Sequence, residues 1–320
     1  MELLFMDPVF KEAIWGGTKL RDVFDYEIPS DTTGECWAIS GHANGMSRVA
    51  GGRFDGKTLG ELWKEEPEIF GNYPGSQVPL LIKIIDAKND LSIQVHPDDA
   101  YAQQYEHEPN GKTEMWYILE AEPGASLIYG FSKPMQPEQL DICLKENTIL
   151  SYLQKIHVKK GDVFLIPAGT VHAIGAGIVL AEIQQSSNLT YRLYDYNRTD
   201  ATGKKRPLHI KKAKAVIQFS ANQPPQTKQP MQQKDGYQVQ CLCKCPYFCT
   251  TLLTIQTACD WTDYQPDSDT FQVLLCISGS GTMQTKENAL SFQKGDCIFL
   301  PAHCSMERLT GTAELLQITG

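Results

Sequence analysis

Two imidazoles and a carboxylate, His96, Glu114 and His172, are the side chains in this sequence best suited to chemistry. Ser92, Gln94 and His96 are spaced two apart, and on a strand such residues share one face. Glu114 follows eighteen residues after His96, and His172 comes from a later loop. A catalytic ion needs three converging ligands and one position left open for substrate. Two imidazoles and a carboxylate suit zinc, and Gln94 can add an amide oxygen; iron or manganese would accept the same set. The expectation from the residues alone is one divalent ion per chain, held by His96, Glu114 and His172, with Gln94 able to add a fourth ligand. Singly, a His before a proline is a strand-end polar residue and a Glu near a turn is a solvated one. Their convergence has to come from the elements that carry them.

Those elements read as short strands divided by turns. Apolar runs predict strands over 78–85, 91–96, 115–119, 163–166, 178–184 and 190–196, with 271–277 and 297–300 further on. If Ser92, Gln94 and His96 face the interior, Ile93 and Val95 pack outward. The spacing predicts helices over 59–63, 137–152 and 209–219. The start of the chain reads as loop-rich, with Trp15-Gly16-Gly17 as a turn. Residues 221–235, ANQPPQTKQPMQQKD, have almost no apolar side chains and read as a linker. The division expected is 1–220 as a metal-binding catalytic domain with helical insertions, 221–235 as linker, and 236–320 as a degenerate copy without metal.

An internal repeat supports that division. KKGDVFLIPAGTVH (159–172) and QKGDCIFLPAHCSM (293–306) share Lys-Gly-Asp, an apolar strand and Pro-Ala. Two copies of one β unit is the simplest explanation. The first copy resembles the second sequence motif of the cupin superfamily at Gly161, Pro167, Gly169 and His172, although the motif's later Asn falls on Ala176. Cupins are small jelly-roll barrels, so the fold expected is mainly β, two cupin-like barrels with a few helices. In the second copy Met306 stands in place of His172, and a thioether does not serve as a ligand for zinc chemistry.

Composition narrows the function class. A net charge of −9 excludes the basic face of a general nucleic-acid binder, though not a locally positive pocket for an anionic substrate. No helix-turn-helix pattern, membrane-length apolar run or secretory-type start is evident, so a soluble cytoplasmic protein without nucleic-acid or membrane partners is expected. The ten cysteines read as reduced thiols. Cys241, Cys243, Cys245 and Cys249 cluster; strict alternation would put the first three on one strand face, as inward packing or, less simply, a metal or redox site.

Four further blocks carry a sharper resemblance: LLIKIIDAKNDLSIQVHPDD (80–99), GKTEMWYIL (111–119), AGTVHAI (168–174) and QQSSNLTYRLYDYNR (184–198). They resemble, in order, type I mannose-6-phosphate isomerases of the shorter bacterial form. The resemblance implies interconversion of mannose 6-phosphate and fructose 6-phosphate. It implies zinc on Gln94, His96, Glu114 and His172, and an active-site arginine at Arg192. Longer members carry Asn-His-Lys-Pro-Glu where this chain has Asn110-Gly111-Lys112-Thr113-Glu114, so that histidine's role has no bearer here.

Isomerisation moves a proton between C1 and C2 of the open-chain sugar, which needs a polarised carbonyl, a cation near the developing charge, and a base. Glu182, on the strand after His172, is the first candidate for the base, and Lys112 is the second, or a contact to substrate oxygens. Lys83 and Ser92 are candidates for the phosphate, because a lone amine in an apolar strand needs an anionic partner. Trp15 and Glu35 are pocket candidates by their place in the resemblance. The rivals are another metal-dependent cupin enzyme, such as a dioxygenase, and a non-catalytic cupin sugar sensor. The sequence leaves the oligomeric state open.

Overall fold

The computed structural model describes residues 2–71, 73–200, 202–221, 223–264, 269–286, 289–304 and 306–320. The chain opens with β1 (Leu4–Asp7), β2 (Val9–Gly17), β3 (Thr33–Ser40) and β4 (Arg48–Ala50). There follow β5 (Leu80–Ala87), β6 (Ile93–Val95), β7 (Glu114–Ala121), β8 (Ser126–Phe131) and β9 (Leu153–His157). The first half closes with β10 (Val163–Ile166), β11 (His172–Ala173), β12 (Ile178–Gln185) and β13 (Tyr191–Tyr194). The second half holds β14 (Gln232–Gln233), β15 (Tyr237–Lys244), β16 (Cys249–Ile255) and β17 (Ala258–Asp260). It ends with β18 (Gln272–Thr285), β19 (Ala289–Gln293), β20 (Cys297–Leu300) and β21 (Met306–Thr319).

A six-stranded sheet in the order β10-β7-β12-β5-β3-β2 accompanies a five-stranded one, β13-β6-β11-β8-β9. The second half repeats the larger sheet as β20-β18-β21-β16-β15-β14. The fold is the expected mainly β, cupin-like pair, with its strands in sheets and not in closed hydrogen-bonded barrels. The N-terminal β1 and β4 join the second sheet beyond β20, with Leu4 opposite Phe299. Asn222, in the Pro- and Gln-rich stretch, lies outside the described residues; within that stretch Gln232 and Gln233 pair with β15.

The three strands that build the site, β5, β7 and β12, are covered on both faces, which explains their nearly continuous apolar runs. One face of each packs into a core shared by the two halves: Leu80, Ile82 and Ile84; Met115, Tyr117 and Leu119; Val179, Ala181 and Ile183. Alternation then sends Lys83, Glu114, Trp116, Glu182 and Gln184 to the opposite face. Ile93 and Val95 pack, as expected, into a separate core with Leu140 and Cys143 of helix Pro137–Lys145 and Ala213 of helix Ile210–Val216.

The repeat holds atom by atom. Gly161 donates its N–H to Ile118 O at 2.8 Å, and Gly295 to Cys276 O at 2.9 Å. The Asp162 and Asp296 carboxylates accept from the N–H groups of Lys159 and Gln293 at 2.9 and 2.8 Å. Thr170 N–H reaches Pro167 O, and Cys304 N–H reaches Pro301 O, each at 3.1 Å. Both copies even keep the left-handed residue, Gly169 at φ 84° and His303 at φ 55°.

Three expectations are corrected. Trp15-Gly16-Gly17 is the end of β2 and not a turn; a Cβ on Gly16 would lie 2.5 Å from Thr32 O and Gly34 N, so the glycine serves close strand approach. The helix from Pro137 stops at Lys145, because Asn147 turns left-handed at φ 58°; a 3-10 turn, Ile149–Tyr152, leads into β9. The expected common face of Cys241, Cys243 and Cys245 is broken by a bulge between Cys241 and Cys243, where the extra residue resets the alternation. Cys243 is buried, the other three are half-buried, and all ten cysteines are free thiols.

Candidate metal centre and active site

Two cross-strand rows make the site. In the smaller sheet Gln94 stands between Arg192 on β13 and His172 on β11. In the larger sheet Glu182 stands between Trp116 on β7 and Lys83 on β5, with Trp37 of β3 opposite Lys83. Directly opposed residues lie close together on one face, so register alone assembles both rows. His96, at the end of β6, and Glu114, at the start of β7, complete the meeting point.

His96, Glu114 and His172 converge as expected. Their ligand atoms lie within 4.8 Å of one another, and this is the one such His, Cys, Asp and Glu group among the described residues. His96 Nε2 is 3.5 Å from Glu114 Oε2, and His172 Nε2 is 3.4 Å from Glu114 Oε1. The remaining ring nitrogens are held from behind, His96 Nδ1 by Leu189 O at 2.8 Å and His172 Nδ1 by Thr170 O at 2.9 Å. A carbonyl only accepts, so each Nδ1 carries the proton and each Nε2 presents a lone pair. Burial lowers both imidazole pKa values, His172 to about 4, and keeps the rings neutral. Glu114 is fully buried; Lys112 Nζ lies 2.8 Å from its Oε2, while its Oε1 receives no hydrogen bond. Leaving such a buried oxygen unmet costs about 1–3 kcal/mol. Burial and the neighbouring Glu182 charge push its pKa up. Neutral imidazoles whose Nε2 lone pairs turn toward a buried carboxylate with one unmet oxygen fit a divalent cation. Gln94 is adjacent, its amide nitrogen 3.4 Å from His172 Nε2 and its oxygen 3.3 Å from Ser92 Oγ; half a turn of the amide presents the oxygen instead.

The charged groups around this triad form one network. Lys112 Nζ lies 2.8 Å from Glu114 Oε2, 3.3 Å from His96 Nε2 and 3.7 Å from Glu182 Oε1. Lys83 Nζ lies 3.1 Å from Glu182 Oε1 and 3.3 Å from Glu35 Oε2, and 5.2 Å from the Trp37 ring centre. The anions that meet Lys83 are thus carboxylates. Burial pulls its ammonium toward neutrality, but Glu182 and then Glu35 outweigh it and hold it charged. Burial opposes ionisation of Glu182 too; Lys112 and Lys83 prevail and hold its pKa low. Three carboxylates, Glu35, Glu114 and Glu182, thus face two ammonium groups, a deficit of positive charge that a cation would fill.

Arg192 is half-buried. Its Nε donates to Ser92 Oγ at 3.2 Å and its Nη1 to Pro207 O at 2.9 Å, while its backbone N–H reaches His209 Nδ1 at 3.2 Å. Trp15 is buried in the core that also holds Ile85, Leu91 and Trp116, and Glu35 accepts from Trp37 Nε1 at 2.5 Å. Two neighbours escaped the sequence reading. Trp116 Nε1 donates to Glu182 Oε2 at 3.2 Å. Gln184 is fully buried opposite Glu114, with its Oε1 unmet. The signal for Gln184 was alternation: it stands two residues after Glu182. The loop departure also has a physical reason. A Cβ on Gly111 would lie 2.4 Å from Asp98 C and 2.6 Å from Asp99 N, so no histidine fits there.

Two family models match the chain: phosphomannose isomerase type I, catalytic domain, over residues 3–122, and mannose-6-phosphate isomerase, cupin domain, over residues 239–319. The mannose-6-phosphate isomerase ManA of Bacillus subtilis is 43% identical over 315 residues, covering 98% of each chain. The chain belongs to the type I phosphomannose isomerase family. The mannose-6-phosphate isomerase of Streptococcus mutans is 39% identical over 315 residues, covering 98% of this chain and 97% of its own. The crystal structure of mannose 6-phosphate isomerase from Bacillus subtilis superposes with a TM-score of 0.95 at 38% identity, covering 100% of both chains. His96 and Glu114 fall inside the first matched segment of the family; His172 and Arg192 fall between the two.

Proposed function

We propose that the chain is a metal-dependent isomerase that interconverts mannose 6-phosphate and fructose 6-phosphate, using one Zn2+ on His96, Glu114, His172 and Gln94. The observation that carries this reading is the buried Glu114 carboxylate, its Oε1 unmet, facing two neutral imidazole Nε2 atoms. Full-length similarity to mannose-6-phosphate isomerases supplies the substrate. A divalent ion bound there supplies Lewis-acid polarisation of the open-chain sugar's carbonyl.

The chain's own residues do the rest. Arg192 places its guanidinium beside the row of ligands, where negative charge develops on the C1 and C2 oxygens. Glu182 is the candidate base: Lys112 and Lys83 keep it ionised, and its Oε1 lies 3.1 Å from Lys83 Nζ and 3.7 Å from Lys112 Nζ. It takes the proton from one carbon and returns it to the other. Lys112, poised between Glu114 and Glu182, donates to the substrate oxygens. Two carboxylates already answer Lys83, so we assign it to holding Glu182 ionised and leave Ser92 as the candidate contact for phosphate. Trp15 and Glu35 back this pocket.

The same reading takes 1–220 as the catalytic unit, 221–235 as its connection and 236–320 as the metal-free unit, with β1 and β4 lent to the second sheet. It places the enzyme in the cytoplasm, acting on a phosphorylated hexose without nucleic-acid or membrane partners. Among the described residues no helix is long and apolar enough to cross a membrane. A coupled assay on mannose 6-phosphate, with zinc-loaded protein and oxygen excluded, tests the reading. Turnover is expected. Metal-replete protein that binds the sugar phosphate without turning it over would make the chain a sensor and overturn the proposal.

A further inference from the structure

Lys112 lies on a loop with no helix or strand of its own, just before β7. Its backbone is nevertheless fully held. Gly111 N–H donates to Asp99 Oδ1 at 2.7 Å, Lys112 N–H to Pro97 O at 3.0 Å, and Thr113 N–H to Gln185 Oε1 at 2.8 Å. Gln185 Nε2 in turn donates to the same Asp99 Oδ1 at 2.8 Å, and the Gln185 backbone N–H reaches Thr113 O at 3.2 Å. One carboxylate oxygen and one amide thus join three segments: the residues after His96, the Lys112 loop and the end of β12. The fit is close enough that Gly111 has no room for a Cβ against the backbone of Asp98 and Asp99.

The clamp has a further member, from the other half of the molecule. The turn between β15 and β16, closed by Cys245 N–H donating to Phe248 O at 3.0 Å, carries Tyr247. Tyr247 lines one cleft with Asp99, Asn110 and Gln185, and burial together with the Asp99 charge raises its phenol pKa. Thr113 N–H can be held in this way only because residue 113 is not proline, which has no donor to give.

We propose that Asp99, Gln185 and Tyr247 are positioning residues for Lys112, and that Tyr247 makes the ligand-free second unit part of the catalytic apparatus. The inference rests on Lys112 acting in the proposed isomerisation. A loop carrying a reacting group transmits small displacements strongly, about 100-fold in rate for a misplacement on the order of 1 Å.

The test compares kcat, KM, ion content per chain and melting temperature for Asp99→Ala, Gln185→Leu, Tyr247→Phe and Asp99→Asn. In the first two, kcat should fall about 100-fold with KM within about twofold, if displacement is of that order. Ion content should stay at the wild-type value. Tyr247→Phe should lose about threefold to tenfold in kcat, on the order of one polar contact at the Asp99 edge of the cleft. Asp99→Asn keeps the Oδ1 acceptor and should restore kcat to within about threefold, because the bonds to Gly111 and Gln185 survive. Wild-type kcat in both Asp99→Ala and Gln185→Leu would overturn the inference. So would loss of the ion along with activity, which would place the effect on Glu114, or an Asp99→Asn variant as slow as Asp99→Ala. If Asp99→Ala and Gln185→Leu fail to fold, the Asp99→Asn and Tyr247→Phe pair decides by the same limits. An inactive wild-type protein would fail the isomerase reading itself, a separate result.

Discussion

Glu114 and Gln272 occupy the same place in matching sheets: Glu114 stands opposite Ile166 on β10, and Gln272 opposite Leu300 on β20. The correspondence continues across the strands. Lys83 and Glu182 are direct partners in the first half, and Thr251 and Gln317 in the second. His172 becomes Met306, buried among Leu309, Ile298 and Trp261. The second copy therefore lacks the charges and the candidate ligands Glu114 and His172 at equivalent points, while keeping strand order and turn. Its two amides satisfy each other, Gln317 Nε2 donating to Gln272 Oε1 at 2.6 Å. The first copy keeps a buried carboxylate with one oxygen that no hydrogen bond meets. One scaffold thus supports a settled polar pair and an unsettled charged cluster. The unsettled one is where a cation and a substrate have something to gain.

The sharpest break of that comparison is the ligand swap. His172→Ala should lose the ion and reduce isomerase turnover by about 1,000-fold or more, because the carbonyl is no longer polarised. Met306→Ala should keep both ion and turnover and lose only about 2–5 kcal/mol of stability, the usual cost of truncating a core methionine. Ion content, turnover and thermal melting read this directly, and ion loss in the Met306 variant would erase the distinction between the halves.

Restoring charge to the second copy comes next. Gln317→Glu places a carboxylate beside Gln272 with no lysine across the strand, since Thr251 stands where Lys83 would. Denaturant melts should show a loss of about 3–5 kcal/mol, as for a buried charge without its partner, with no second ion bound. A stable variant holding two ions per chain would mean that the second unit is a dormant metal site.

Acid should affect the first copy before the second. The unfolded chain takes up a proton on histidine near pH 6.5, while folded His172 resists until about pH 4, because burial disfavours the imidazolium. The unfolded state therefore binds more protons between those values, and stability falls as pH drops through that window. The ion should leave only at the acid end of that window, near pH 4, where protonation of folded His172 removes the Nε2 lone pair. His172→Gln should flatten the stability loss, as read by melts from pH 7 to pH 4; an unchanged slope would locate the acid sensitivity elsewhere.

The smallest effect contrasts the two left-handed turn residues. A Cβ on Gly169 would lie 2.8 Å from Val216 O, so Gly169→Ala should cost about 1–3 kcal/mol through strain. His303 already carries its Cβ at φ 55°, and His303→Gly should change stability by less than about 1 kcal/mol. Equal effects at the two sites would show that the turns are not constrained differently.

The ligands were legible because their signals were local: two-residue spacing around Gln94 and His96, and the repeat that set His172 against Met306. Glu182 was visible too, by its place on the strand after His172. The company each residue keeps depended on register, which no local spacing reveals. Lys83 reads in sequence as an amine in need of an anion; only the pairing of β5 with β12 and β3 shows carboxylates answering it. The bulge at Leu242 undid a face predicted by strict alternation, since an inserted residue carries no clear mark in the sequence. Asp99, Gln185 and Tyr247 were illegible for the same reason, being brought together from three distant segments.

The most direct test is to strip the protein with chelator and titrate Zn2+ back while following turnover of mannose 6-phosphate. The account predicts no turnover in the stripped protein and full recovery at one ion per chain. Turnover without metal, or recovery that needs a second ion, would contradict it.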